Sequence, residues 1–283
     1  MLAVLAQDPE SGIIDYGNSN VIHKNESAVV LEYLDFYRST PQSDNSLKYL
    51  IFDSKFTNYQ NLSILDDQKI KFITIRRRGG KMLEEIQGNT SWKTVRVEAS
   101  GLKKRTLKVW EQHVTLTGYK DEKTGEAKLI RQIVITGHGK IKPAVIITND
   151  FDLKIEFLIR KYCKRWLVEK GISEQIDFFH LNRVSSSMVI KVDLDFVMSI
   201  LAHNLYRLFA SYLDRYQHMS DERIYEMFIH NSGEVEIEQS EIRIDLKKKR
   251  ELPLLLDFLK SEKIENCSWM NNKNIIFNPT ASS

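Results

Sequence analysis

The chain has 283 residues, of which 42% are hydrophobic, 10% aromatic and 28% charged, with a formal net charge of +3. That length leaves room for one large domain or two modest ones, and the apolar share suffices for a buried core. No apolar run approaches a membrane helix, no basic segment opens a signal peptide, and Cys163 and Cys267 stand too far apart for a disulfide framework or zinc site, so the composition predicts a soluble intracellular protein.

In chain order, LAVLAQDPESGIIDYGN (2–18) alternates apolar segment, turn and apolar segment, the pattern of a β-hairpin with Asp8 in its turn. Asn25 then stands as an N-cap before Val29, Val30, Leu31, Leu34 and Tyr37, which are spaced as one face of a helix. LKYLIFD (47–53) predicts a buried strand ending on Asp53, NYQNLSILDDQ (58–68) a short helix and IKFITIR (70–76) another strand. This succession argues for a mixed α/β sheet, and in open α/β sheets functional groups gather at the carboxyl ends of strands.

Between about Gly79 and Asn149 the chain breaks into short alternating segments separated by Gly, Lys and Asp clusters, which predicts a β-rich block inserted into the α/β core. From Lys154 to Glu169 there is no Gly or Pro and the apolar residues recur at helical spacing. A longer apolar helix is expected from about Val192 to Tyr216. Two short strands (234–238 and 241–246) and a helix (251–262) follow, and NPTASS reads as a frayed tail. The expected organisation is a core built from residues 1–78 and 145–217, a β-rich insertion over 79–144 and an α+β extension over 218–283.

The net charge is too small to demand a nucleic-acid partner, but the basic residues cluster. Arg76, Arg77, Arg78 and Lys81 form one run, Lys103, Lys104 and Arg105 a second, Arg160, Lys161, Lys164 and Arg165 a third, and KKKR ending at Arg250 a fourth. Each alone reads as a solvated face. Gathered around a carboxylate they would track phosphates.

Tyr162, Arg165 and Glu169 follow one another at spacings of three and four, so on one continuous helix they share a face over two turns. Taken alone, that face is an exposed helix with an i,i+4 ion pair worth only a few tenths of a kcal/mol. The surrounding sequence supplies more. YCKRWLVE resembles the tyrosine, two residues, arginine, three residues, glutamate signature of DDE transposases encoded by bacterial insertion sequences. IFDSKFTNYQNL followed by IKFITIRRR resembles the segment around their second catalytic aspartate, and ISEQIDFFHLNRVSSSMVIKVDLDFVMSILAHNLYRLF the block after their glutamate. The likeness runs from near Leu2 to about Leu213, with two separate motifs in the right order.

The resemblance implies an α/β fold of the ribonuclease-H-like type, a mixed sheet with flanking helices interrupted by a β-rich insertion. It implies metal-dependent cleavage and strand transfer of phosphodiesters at insertion-sequence ends, with Asp53 and Glu169 as catalytic and metal-holding acids. Two Mg²⁺ or Mn²⁺ ions about 4 Å apart would polarise the nucleophile and stabilise the leaving oxyanion, and such hard ions prefer carboxylate oxygen. Tyr162, Arg165, Arg76, Arg77 and Arg78 would contact DNA. The implied partners are double-stranded DNA and a second copy in a homodimer, and the implied location is the cytoplasm, at the nucleoid.

The sequence also departs from that pattern. Some of these families carry a lysine seven residues after the glutamate, where Ile176 stands here; Lys170 is near but on another face. The first aspartate of the triad belongs on a strand beside the one delivering Asp53. Asp8 precedes Pro9 in a turn where Asp is ordinary turn chemistry, and Asp15 follows that turn. The expectation is a chain that starts at the second core strand. Two rival readings accompany the transposase: a non-catalytic DNA-binding or inhibitory remnant, and a structure-selective nuclease on the same fold. His138, His180 and His203 read as satisfied structural histidines, Trp166 as a core anchor, TGHGK (136–140) as no P-loop, and Ser185, Ser186 and Ser187 as a cap or loop.

Overall fold

The computed structural model describes residues 2–40, 47–98, 104–139, 142–181, 183, 188–261 and 270–280. The readings of Lys103, Ser185, Ser186, Ser187, Cys267 and the last three residues lie outside the described residues. The chain divides into two compact units, one of Met1–Val4 with Asn20–Leu167 and one of Leu5–Ser19 with Val168–Ser283.

The expected hairpin forms from β1 (Leu2–Gln7) and β2 (Ile14–Val21). Its turn is closed by Asp8, whose carboxylate accepts from Ser11 N at 2.8 Å and Ser11 Oγ at 2.5 Å, so the acid is used as turn chemistry. Asn25 does not cap a helix. The chain first makes a 3₁₀ turn over His23–Ala28, and α1 (Val29–Ser39) begins behind Ala28.

The first unit continues with β3 (Tyr49–Ile51), α2 (Tyr59–Asp67), β4 (Lys71–Ile75), α3 (Gly80–Gly88), β5 (Lys93–Glu98), β6 (Lys104–Lys120), β7 (Ala127–Thr136), β8 (Ala144–Thr148) and α4 (Ile155–Lys164). The six strands from β3 to β8 make one mixed sheet in the order β3-β4-β8-β7-β6-β5, with β3 and β4 parallel and the other pairs antiparallel. The strands of the 79–144 block thus continue the sheet that holds β3 and β4. Side-chain alternation sends Phe72, Ile130 and Ile147 to one face, against Val30 and Leu34 of α1 and Leu62 and Leu65 of α2. Ile73, Ile133 and Ile146 go to the other, against Leu158 and Ile159 of α4. Each such buried side chain contributes about 2 kcal/mol of transfer free energy. This is the mixed sheet with flanking helices expected of the ribonuclease-H-like class.

Two local features depart from the expectation. Helix α3 lies inside the block read as β-rich, and its Ile86 packs with Val134 and Val145. The helix expected unbroken to Glu169 is interrupted at Arg165, which keeps helical dihedrals (φ −52°, ψ −29°) but donates its N–H at 3.1 Å to Tyr162 O, three residues back. No Gly or Pro forces this change.

Helix α5 (Trp166–Asp177) carries the chain into the second unit, followed by α6 (Val189–Tyr212), α7 (Asp221–Ile224) running into a π-turn over Tyr225–Ile229, β9 (Gly233–Ile237), β10 (Glu241–Leu246), α8 (Leu252–Ser261) and β11 (Asn274–Pro279). The last three strands form a sheet in the order β11-β10-β9, so Asn278 and Pro279 belong to a strand and not to a frayed end. α6 lies on the hairpin: Asn204 Nδ2 donates to Ile14 O at 2.9 Å and its Oδ1 accepts from Ile14 N at 2.8 Å. The approach is so close that a Cβ on Gly17 would stand 2.3 Å from Ile200 Cδ1. No helix among the described residues is long and apolar enough to cross a membrane.

Candidate functional site

β3 is three residues long and stands at the sheet edge. Phe52 N donates to Ile73 O at 3.2 Å, extending the pairing by one residue before the chain turns at Asp53. Asp53 caps the 3₁₀ turn Ser54–Phe56, its Oδ1 accepting from Lys55 N at 3.2 Å and Ser54 Oγ at 3.0 Å. Thr57 ties the turn to β4 through a 2.6 Å hydroxyl contact with Thr74. The carboxylate is therefore oriented from below by its own turn. Its second oxygen, Oδ2, points at Arg165, whose Nη1 is 3.5 Å away.

Arg165 in turn lies over the ring of Tyr162, 5.6 Å from the guanidinium carbon to the ring centroid. Burial pushes the Tyr162 phenol upward from its ordinary value; Arg165 pulls it back and Asp53 pushes it further up. A phenol that stays protonated at neutral pH offers a neutral O–H donor. Three of the residues singled out in the sequence, Asp53, Tyr162 and Arg165, are thus in one group within the first unit. Glu169 stands exposed in the first turn of α5, in the second unit.

The arginine run after β4 divides into different environments. Arg76 is bound to the sheet, its Nη1 donating to Gln132 Oε1 at 2.5 Å. Arg78 donates to the Pro143 carbonyl. Arg77 is exposed and lines two clefts that also take in residues around the Asp53 turn, Lys55 and Thr57 in one and Ser54 in the other. One, of about 380 Å³, is walled by Lys24, Glu26, Lys55, Thr57 and Tyr59; the other, of about 230 Å³, by Ser54, Arg76, Arg78 and Lys142. Lys24, Lys55 and Lys142 were not legible as site residues. Only Lys55 carried a signal, two positions after Asp53.

Asp53 suits a hard divalent cation by the chemistry of its donors. Each carboxylate oxygen has two lone-pair directions, the bonds to Oδ1 are of ordinary length, and the Arg165 contact is long enough to yield. Glu174, His203 and Asp221 in the second unit also bring one ligand atom each within 4.8 Å of one another, but this trio is closed to a cation. Asp221, fully buried, accepts from Arg207 Nη2 at 2.5 Å on one oxygen and faces His203 Nδ1 at 2.5 Å on the other. His203 Nε2 donates to the Gly12 carbonyl at 3.0 Å. Both ring nitrogens are engaged, and a guanidinium already neutralises the acid, so His203 is the satisfied structural histidine its sequence context suggested. Glu174 is held above the usual carboxylate range, chiefly by burial and then by Asp221.

A family model described as the transposase DDE domain matches residues 4–205, a span holding Asp53, Tyr162, Arg165 and Glu169. A search of the curated proteins finds no significant match.

Proposed function

Because the chain belongs to the family of transposases with a DDE domain, we propose that it cleaves and joins DNA phosphodiester bonds at insertion-sequence ends, with Asp53 and Glu169 holding Mg²⁺ or Mn²⁺. Family membership brings DNA as the substrate and a divalent metal as the general requirement. The assignment of Asp53 is supported by one observation: a turn-oriented carboxylate emerges at a strand's carboxyl end beside Arg165, in a turn whose Ser54 and Lys55 line two clefts together with cationic side chains; that of Glu169 rests on the sequence resemblance and the family match.

Divalent ions, when bound, activate the attacking oxygen and stabilise the departing one. The protein's own groups do the rest. The Ser54 hydroxyl and Lys55 amide fix the direction of the Asp53 carboxylate. Arg165 holds the second oxygen and is placed to exchange that contact for a phosphate, to which a guanidinium binds as well as to a carboxylate. Tyr162 supports the guanidinium from beneath and adds a neutral donor. Arg77, Lys24, Lys55 and Lys142 supply sequence-independent attraction for the backbone on both sides of the scissile bond. Self-association, as the family resemblance implies, completes the reading.

A second reading, a DNA-binding protein without catalysis, is favoured by the fact that the carboxylate of Asp8 is engaged by Ser11 in its turn. Incubating the purified protein with Mn²⁺ and linear DNA decides between them. Cleavage that is lost in both Asp53→Ala and Glu169→Ala supports the first reading. Binding without cleavage supports the second, and cleavage that survives both substitutions overturns the metal-site assignment.

A further inference from the structure

Helix α6 has two faces of opposite character. Phe196, His203, Arg207 and Ala210 are buried on the inner one. The outer one carries a line of Ile190, Leu194, Val197, Leu201, Leu205, Leu208 and Tyr212, with Met198 beside it, each between 46% and 79% exposed. Between Asp195 and Asp214 the only charged or basic side chains are His203 and Arg207, and both point inward. Scattered apolar side chains on a surface need no partner, but a stripe whose face carries no charge from Phe196 to the end of the helix at Tyr212 marks an interaction surface.

The spacing identifies the partner. From Ile190 to Tyr212 the steps are four, three, four, four, three and four. These are two successive eleven-residue repeats, a period so near that of the α-helix that the stripe runs almost parallel to the axis, as a helix–helix seam must. The order of steps also reads identically from either end, with Leu201 at its centre. A two-fold axis through Leu201 lays an antiparallel second copy on the first with these seven positions in register, while Met198 flanks the seam. Leu201 meets its own symmetry mate, Leu205 meets Val197, Leu208 meets Leu194, and Tyr212 meets Ile190.

We propose that α6 is the surface through which two copies of this chain associate, as an isologous antiparallel helix pair centred on Leu201. Such a pair is self-complementary, as a two-fold interface must be, and sets the helix dipoles in the favourable opposed sense. The exposed fractions of the stripe amount to roughly 700–900 Å² per copy, against the roughly 800 Å² per partner of a stable interface. The pairing rests on the self-association included in the proposed function and gives it a surface, but it uses no residue of the Asp53 group, so it can fail while the metal-site reading stands.

The test uses the full chain with Cys163→Ser and Cys267→Ser as background. Sedimentation at micromolar concentration is expected to give the mass of a dimer, and Leu201→Glu, which sets two carboxylates face to face on the axis, the mass of a monomer with unchanged far-ultraviolet circular dichroism. Under mild oxidation Leu201→Cys is expected to form a covalent dimer. Leu208→Cys alone is expected to remain uncrosslinked, yet to crosslink when mixed with Leu194→Cys. A monomeric parent chain, a Leu201→Glu variant still dimeric, or Leu208→Cys linking to itself as readily as Leu201→Cys would each overturn the proposal. The cysteine variants are small changes at exposed positions, so their outcome stands even if Leu201→Glu fails to fold.

Discussion

Arg165 Nη1 stands 3.5 Å from Asp53 Oδ2 although the two residues are far apart in the chain, and the regular hydrogen-bond ladder between α4 and α5 is interrupted at this arginine. The guanidinium occupies the side of the carboxylate that its own turn leaves open. On the proposed function it would compete with a cation for Asp53 and offer a positive charge to a phosphate.

Replacing Arg165 should separate those two roles. Unit charges at this range interact by about 1 kcal/mol when well solvated, and Asp53 is 37% exposed. Arg165→Ala should accordingly tighten Mn²⁺ binding by about fivefold, measured by calorimetry, while weakening DNA binding and cleavage. Arg165→Lys, which keeps the charge, should bind Mn²⁺ close to the parent value. Unchanged Mn²⁺ affinity in Arg165→Ala would mean that the metal does not use Asp53.

Neighbouring arginines after β4 should behave oppositely. Arg77 is exposed and lines both clefts, so Arg77→Ala should leave the unfolding midpoint unchanged, weaken DNA binding across all sequences, and reduce the slope of log affinity against log salt by about one. Arg76→Met removes the partner of Gln132, which is only 1% exposed. An unsatisfied buried amide costs about 1–3 kcal/mol, so this variant should lower stability in urea unfolding. Equal stability losses in the two variants would contradict this division.

The contrast between the two arginines shows what a sequence can and cannot reveal. Local pattern placed β3, α2 and β4 within a residue or two, because alternation and turn residues act over a few positions. It placed Asp53 at a strand end for the same reason. It could not distinguish Arg76 from Arg77, since the difference is a glutamine more than fifty positions away. α3 was hidden because Gly79 and Gly80 and the following strands marked the whole block as extended. β11 was hidden because its pairing partner is β10, and Pro279 sits at its last position, where a missing N–H is tolerated. Asn25 has the chemistry of a cap, yet the chain makes a 3₁₀ turn there before α1 begins.

The Asp221 network had no sequence signal at all, because His203, Arg207 and Gly12 reach it from other elements. Asp221→Asn should destabilise the protein by about 3–5 kcal/mol, because it leaves the Arg207 charge buried without its counter-ion. Chemical denaturation reads this directly. Since the cluster is closed to cations, EDTA or added Zn²⁺ should leave the thermal midpoint unchanged in a variant carrying Asp53→Ala and Glu169→Ala, which removes the other candidate metal-holding acids; a chelator-induced drop in that variant would show that the trio binds metal.

Glu174 supplies the pH dependence of the same region. Its carboxyl is raised in the folded protein, first by burial and then by Asp221. A carboxyl raised on folding binds its proton more tightly in the folded than in the unfolded chain, so its contribution is fully present below the unfolded value and is lost as pH rises through the folded one. Once ionised, Glu174 is therefore a liability, offset only in part by Lys170 at 3.6 Å, itself well exposed. Glu174→Gln keeps the shape and removes the titration. Its unfolding midpoint should exceed that of the parent protein at pH 7 to 8, and the difference should shrink to nothing as the solution is acidified below the ordinary carboxylate range. Thermal melts across that range are the measurement. A variant less stable at neutral pH than in acid, relative to the parent, would mean that Glu174 is stabilised and not strained by its surroundings.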